Sequence, residues 1–358
     1  MKFSILRQKI KKSLKIEIFT GYLYNFLVNN YENLISKIKN YQNFKGQIQF
    51  NVQMSQKTTF KTGGTADVFI TPENFNSFQI VLSEVLSSAQ KFFILGGGSN
   101  IVFPDGEYHG IVISTASFSN IEYFPPENLP PSFGKIELPE GKVLISCFCG
   151  TTMASFVNFC TKNNISGAEV FAGLPGTVGG AVFMNARCFN VSISDILFST
   201  SWLDYSDKNI SAKKSLFNSK EWDYKKSPFQ NNNRFITTAT FLLNQKTESE
   251  HSQIESECKK YISERVSKGH FKFPSAGSVF KNNHSFGAPS GKLIDECGLK
   301  GFSIGGAQVA PFHGNFIINM GNATSQNIKE LVNYVQAAVQ KKYGFTLENE
   351  IIFVDNQE

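Results

Sequence analysis

The chain has 358 residues, which at about 150 residues per domain is enough for two or three domains. Hydrophobic residues make up 41% and aromatics 13%, which excludes a generally disordered chain, and no apolar run approaches the roughly 18 residues of a membrane-spanning helix. The net charge of +6 suits an anionic small molecule as well as a nucleic acid, but beyond the N-terminus the basic residues are dispersed and no RNA-binding motif accompanies them, so nucleic acid is not an expected partner.

Residues 1–18 read as a basic amphipathic segment. Phe3, Leu6, Ile10 and Leu14 fall at helical spacing among Lys2, Arg7, Lys9, Lys11, Lys12 and Lys15. Lysines interrupt any apolar run of the kind a secretion signal needs, so a partly docked terminal helix is expected rather than a signal or a membrane-surface anchor. Helical patterning continues over 22–39, and Gly46 opens the globular unit. Residues 66–71 form a short apolar run, and Pro72 is expected to open a helix reaching Ser88. Strands are expected over 92–95 (stopped by Gly96), 110–114, 144–149 and 235–243, and a helix over 153–162. The polar stretch 244–252 marks a candidate boundary. The clearest helix is 324–343, with Thr324 as N-cap, an apolar stripe of Ile328, Leu331, Val332, Val335 and Val339, and Gly344 as the stop. A strand over 347–354 follows. The class expected is α+β, divided into an N-terminal segment (1–45), a two-part unit (46–115 and 116–245) and a C-terminal unit (246–358).

The six cysteines are scattered, with no C-x-x-C and no histidine at zinc spacing. Buried free thiols are expected, with no metal site and a reducing, cytoplasmic compartment.

Two glycine turns stand out. Gly96-Gly97-Gly98-Ser99-Asn100 follows the strand 92–95, and successive glycines let backbone N–H groups converge on an anion such as a diphosphate. It is not the dinucleotide fingerprint, since Ile101 stands where the third glycine belongs. Ala172-Gly173-Leu174-Pro175-Gly176-Thr177-Val178-Gly179-Gly180 is the second, a compact loop that lets backbone approach something flat or charged. Gly287 to Lys292 is one residue short of a P-loop, and Leu293 replaces its Ser/Thr.

With these turns the chain resembles the UDP-N-acetylenolpyruvoylglucosamine reductases. The matching stretches run in the family's order: Thr59-Phe60-Lys61-Thr62-Gly63-Gly64, Leu95 to Asn100, Ala172 to Ala186, Ser275-Ala276-Gly277-Ser278-Val279-Phe280-Lys281-Asn282, Gly291 to Gly301, His313-Gly314-Asn315-Phe316, and Leu347-Glu348-Asn349-Glu350. The resemblance implies an FAD-binding domain of the vanillyl-alcohol-oxidase (PCMH) type, made of two subdomains, followed by a smaller α+β substrate-binding domain. It implies NADPH as reductant, a UDP-sugar as substrate, and a cytoplasmic monomer serving peptidoglycan synthesis. It implies hydride transfer through flavin to an enolpyruvyl ether, with protonation of the neighbouring carbon.

By the same resemblance Ser278 donates the proton and Glu350 assists. Glu348 is expected on the same strand face, and alignment to Leu347 favours Glu350. Tyr224-Lys225-Lys226-Ser227 stands where the family has Tyr-Arg-x-Ser, so Lys225 keeps the charge of the family's arginine without its planar fork. Three outcomes are open: Lys225 acts as a point charge, Arg187 supplies the guanidinium, or activity is reduced. Cofactor contacts are expected from Gly96, Gly97, Gly98, Ser99, Asn100, Ile101, Gly173, Leu174, Gly176, Thr177, Gly179, Gly180, Asn185 and Arg187. Substrate contacts are expected from Lys281, Asn282 and Tyr224. His313 is either a site wall or structural. The stretch between Tyr224 and the serine motif resembles the family's second type, without the extra tyrosine loop. Two other readings share the turns: a related FAD-dependent sugar or lactone oxidase, which gives no reason for Ser278 and Glu350, and a catalytically impaired flavin-binding homologue.

Overall fold

The computed structural model describes residues 31–207 and 209–355. The basic segment over 1–18 and the first part of the 22–39 helix lie outside the described residues. Residues 31–40 are helical (α1) and bury Tyr31, Leu34, Ile35 and Ile38.

A first sheet is built from β1 (Gly46–Gln53), β2 (Thr65–Pro72), β3 (Phe92–Leu95) and β5 (Glu107–Ser114), in the order β1-β2-β5-β3; the two-residue β4 (Ile101–Val102) lies off it. β1 pairs antiparallel with β2, and the other pairings are parallel. Helix α2 (Phe75–Ser87) buries Phe78, Val81, Leu82 and Val85. It starts later than Pro72 predicts. Pro72 ends β2, the Glu73 N–H is taken by the Lys45 carbonyl, and Asn74 is the cap, its side chain accepting the Ser77 N–H at 2.8 Å.

A second, antiparallel sheet holds β6 (Ile121–Phe124), β7 (Lys142–Phe148), β11 (Leu197–Asp204), β12 (Ser211–Leu216) and β13 (Arg234–Gln245), in the order β12-β11-β13-β7-β6. Between β7 and β11 run α3 (Met153–Lys162), the short β8 (Ile165–Ser166) on the end of β13, α4 (Val178–Phe183), and the hairpin β9 (Arg187–Cys188) and β10 (Val191–Ser192). α3 has the predicted bounds. All six cysteines are unpaired, and burial pushes the thiols of Cys147, Cys149 and Cys160 upward.

The packing does not change at 244–252. Helix α5 (His251–Ser267) lies against α3, and its Cys258 and Tyr261 pack on the core that contains Ile145 and Phe241. The polar stretch is the end of β13 plus a capping box in which Thr247 and Glu250 turn the chain.

The C-terminal region has α6 (Ser290–Glu296), the antiparallel β14 (Ser303–Ile304), β15 (Ala307–Val309) and β16 (Ile317–Asn319), and helix α7 (Ser325–Tyr343). Thr324 caps α7, Gly344 ends it at φ 84°, and its whole predicted stripe is buried. The predicted strand 347–354 makes a ladder only as β17 (Ile352–Phe353), parallel to β4. Just before it, the Glu350 and Ile351 N–H groups share one acceptor, the Val279 carbonyl, at 2.7 and 3.4 Å. That doubling is a bulge that shifts the alternation from Ile351 onward, while Glu348 and Glu350 meet different partners, Lys281 and Lys225. Asp105, from the first sheet's side, accepts the Ser325 and Gln326 N–H groups at the start of α7, at 2.6 and 2.8 Å. None of the described helices is long and apolar enough to cross a membrane.

Candidate active site

A cavity of about 1550 Å³ lies between the two glycine turns and the C-terminal region. This exceeds the ~300–1,000 Å³ of a single small-ligand site, leaving room for a dinucleotide and a second ligand.

The two turns touch. A Cβ on Gly97 would lie 2.6 Å from the Gly176 Cα, and one on Gly98, at φ +64°, would lie 2.0 Å from the Lys57 carbonyl oxygen. Neither backbone contact can yield to a side chain. Ser99 donates to the Pro175 carbonyl at 3.4 Å, and Thr177 caps α4 by accepting the Gly180 N–H at 3.4 Å. The result is a walled cradle of backbone that only glycine permits.

Facing it, the Lys225 Nζ lies 2.5 Å from the Glu350 Oε1, with the two side chains only 11% and 12% exposed. Lys225 sits at φ +56°, a left-handed conformation that is costly for a non-glycine residue and that recurs at functional sites. Ser278 lines the same cavity, one residue before the Val279 carbonyl that holds Glu350. Glu348 points away: 71% exposed, it pairs with Lys281 at 2.5 Å. The Tyr224 hydroxyl accepts the Asn282 N–H at 3.4 Å, while the Asn282 side chain accepts the Ser290 N–H at 2.9 Å. Arg187 reaches the cavity from β9 with its Nη1 donating to the Ser192 hydroxyl at 3.1 Å.

Of the catalytic, cofactor and substrate contacts expected from the sequence, Asn185 alone is not among the lining residues. It is buried at φ +40°; its Oδ1 accepts the Ser194 N–H at 3.1 Å, and its Nδ2 donates to the Asp223 carbonyl at 2.9 Å. Its side chain braces the Lys225 loop from behind. His313 is a neutral wall residue. Its Nδ1 accepts the Asn315 N–H at 3.2 Å, its ring packs on Phe316, and burial lowers its pKa.

Among the lining residues that the sequence did not point to, two stand out. Arg265 is 7% exposed, its Nε donates to the Ala172 carbonyl at 2.9 Å under the second turn, and its Nη2 is buried with no partner. The Nε2 of His270 is likewise buried and unpartnered; burial, then the Arg265 charge, hold that imidazole down at about 4. The signal was present: Ile254, Cys258, Tyr261 and Arg265 recur at helical spacing, so Arg265 continues the inward stripe of α5. A glycine-only cradle and an orphaned buried guanidinium nitrogen fit an anionic, flat cofactor such as FAD.

The comparisons with known proteins agree with this geometry. The family described as FAD binding domain matches residues 66–206, and the one described as UDP-N-acetylenolpyruvoylglucosamine reductase, C-terminal domain, matches residues 269–354. Proteins named UDP-N-acetylenolpyruvoylglucosamine reductase are similar along nearly their whole length. The one from Treponema denticola is 39% identical, covering 90% of this chain and 98% of the relative. The one from Borreliella burgdorferi is 40% identical, covering 88% and 98%. The crystal structure of the Thermus caldophilus reductase of that name superposes with a TM-score of 0.65 at 26% identity, covering 87% of this chain and 100% of that one.

Proposed function

The chain belongs to the UDP-N-acetylenolpyruvoylglucosamine reductase family, and from that premise we propose that it uses NADPH to reduce UDP-N-acetylglucosamine enolpyruvate to UDP-N-acetylmuramate. It is an FAD-dependent oxidoreductase of α+β class. FAD, when bound, supplies two-electron storage between the NADPH and sugar-nucleotide half-reactions. The backbone of the two turns would hold its diphosphate, and Arg265 would meet one of its oxygens from below.

The rest falls to side chains around the vinyl group. Reduction of an enol ether bearing a carboxylate drives negative charge into that carboxylate and leaves a basic carbon. Lys225 is the cation available to hold the charge, and it is fixed by Glu350 rather than free to wander. Ser278 is the hydroxyl placed to give up the proton. Ser278 passes its proton to the carbon and is left as an alkoxide, and the Lys225 ammonium, held by Glu350 in the same cavity, is a donor to restore it. Tyr224, Lys281 and Asn282 edge the cavity where a sugar diphosphate would extend. We place the polypeptide's working form in the cytoplasm as a monomer, with the seam between its cofactor and substrate units after α5; gel filtration against the 39.9 kDa chain mass checks the first part.

One observation carries this reading: Ser278, Lys225 and Glu350, from segments far apart in sequence, line one cavity with both glycine turns. The purified protein is expected to be yellow and to oxidise NADPH continuously only when the enolpyruvyl sugar nucleotide is present. Ser278→Ala is expected to keep flavin reduction by NADPH while product formation falls at least 10²-fold. Steady oxygen consumption with a free sugar, and none of this dependence, overturns it.

A further inference from the structure

The Thr59-Phe60-Lys61-Thr62 stretch is part of the resemblance, yet nothing so far gives it a task. The structure shows where it reaches. The Thr59 N–H donates to the Gly98 carbonyl at 3.0 Å, in the first glycine turn. Its hydroxyl donates to the Ser275 carbonyl at 2.7 Å, three residues before Ser278. At the other end of the same turn, Asn100 does the equivalent. Its Nδ2 donates to the Glu350 carbonyl at 2.9 Å, and its own carbonyl accepts the Ile352 N–H at 2.9 Å.

We propose that Thr59 and Asn100 form a clasp that sets Ser278 and Glu350 in register with the first glycine turn, making both of them positioning residues of the reaction. This rests on the function proposed above. It also changes the part given to Asn100: its amide nitrogen holds the backbone of Glu350, not the cofactor.

The physical case is one of leverage. Glu350 hangs between two backbone anchors, the Val279 carbonyl on one side and Asn100 on the other. Its carboxylate must reach Lys225 from there. Both donors of the clasp lie in the first-sheet region, and both acceptors lie on the segments that carry the proton-handling groups. A cofactor seated on Gly96–Gly98 therefore shares its footing with Ser278 and Glu350. Misplacement by an ångström is enough to cost a reaction up to about 10²-fold, so loss of one clasp bond should be visible in turnover.

The test uses the full-length holoenzyme. Asn100→Ala and Thr59→Val each remove one donor, and Asn100→Asp keeps the volume if the alanine variant folds poorly. Each is expected to lower kcat about tenfold while the KM for the sugar nucleotide and flavin retention on dilution change less than about twofold. Placed in a Glu350→Gln background, Asn100→Ala is expected to cost less than about twofold, because the group it positions is already gone. Hydrogen exchange read by mass spectrometry gives a measure that does not need turnover: amide protection over 347–354 is expected to fall about tenfold in the Asn100 variants. Flavin loss with wild-type turnover in the fraction that retains it would overturn the clasp and return Asn100 to the cofactor. An equal cost in the Glu350→Gln background, or unchanged exchange over 347–354, would overturn it as well. If the unaltered enzyme itself fails to turn over the sugar nucleotide, the proposed function fails, and the exchange measurement still decides the clasp.

Discussion

The two glycine turns face the same cavity and are fixed in different ways. The second, over 173–180, carries much of its geometry locally. Leu174 N–H closes on the Phe171 carbonyl, Thr177 caps the helix that begins beside it, and the Ala181 N–H returns to the Thr177 carbonyl. The first, over 96–100, has no cap of its own. Its shape is held by Lys57 and Thr59 from one side and by Glu350 and Ile352 from the other end of the chain. The second also rests on the nearby 149–153 segment, whose Cys149 and Thr151 carbonyls accept the Gly179 and Val178 N–H groups at 2.8 Å, and on Arg265 beneath it. The first is a junction, and what happens to it is felt by Glu350.

Substitutions at the point where the turns meet should have the largest effect. Gly97→Ala puts a methyl group 2.6 Å from the Gly176 Cα, backbone against backbone, so one turn must move. The variant is expected to be isolated without flavin, read from the loss of visible absorbance near 450 nm. Gly106→Ala is the control. It lies outside the cavity, and nothing stands within 4 Å of an added Cβ. It is expected to retain flavin and to gain up to about 1 kcal/mol in stability from the reduced freedom of the unfolded chain.

The facing wall comes next. Lys225→Ala strands the nearly buried Glu350 carboxylate, and removing one partner of such a pair leaves an uncompensated charge. Turnover should fall by about 10²- to 10³-fold, and Lys225→Arg should recover most of it, since the guanidinium restores both charge and donor. Arg187→Ala is expected to change kcat by less than about threefold, because the Arg187 guanidinium is already held by Ser192 at the cavity's rim. A collapse of activity in Arg187→Ala with Lys225→Ala unaffected would reverse the assignment of the two cations.

This contrast explains how much was legible in the sequence. α3 and α7 were readable to the residue because their caps and stripes are local: Thr152 accepts the Ser155 N–H, and Thr324 the Asn327 N–H. The glycine turns were readable as turns, and the ordered motifs brought Ser278, Lys225 and Glu350 onto the list. What escaped was set by distant partners. The strand over 347–354 shrank to two residues because Val279 and Asn100, far away in sequence, took its N–H and C=O groups. Asn185 follows a glycine turn and so looked like a ligand, yet Ser194 and Asp223 engage both ends of its amide. Arg265 sat on a helix that reads as mostly polar, and only the spacing from Ile254 betrays that it faces inward.

The smallest effect expected lies under the second turn, at His270. Its imidazole is held down at about 4, against 6.5 for the free group, by burial first and then by Arg265, His313 and Lys268, with Glu264 opposing. The unfolded chain therefore takes up this proton near pH 6.5, while the folded chain resists until about pH 4. The imidazole's contribution to stability is intact above about pH 6.5 and is lost as the pH falls from there toward 4. Because the ring is only partly buried, the loss should amount to about 1–2 kcal/mol, less than the full shift implies. Urea unfolding at pH 7 and pH 4.5 should show this acid penalty in the unaltered chain and a smaller one in His270→Asn. An unchanged penalty would mean that the acid sensitivity comes from elsewhere, for instance from His313, whose pKa is lowered by burial in the same wall. If the effect does belong to His270, the acid-sensitive part of the molecule lies under the second turn and not the first; because the folded chain keeps that imidazole neutral until about pH 4, flavin retention should be insensitive to pH between 7 and 5.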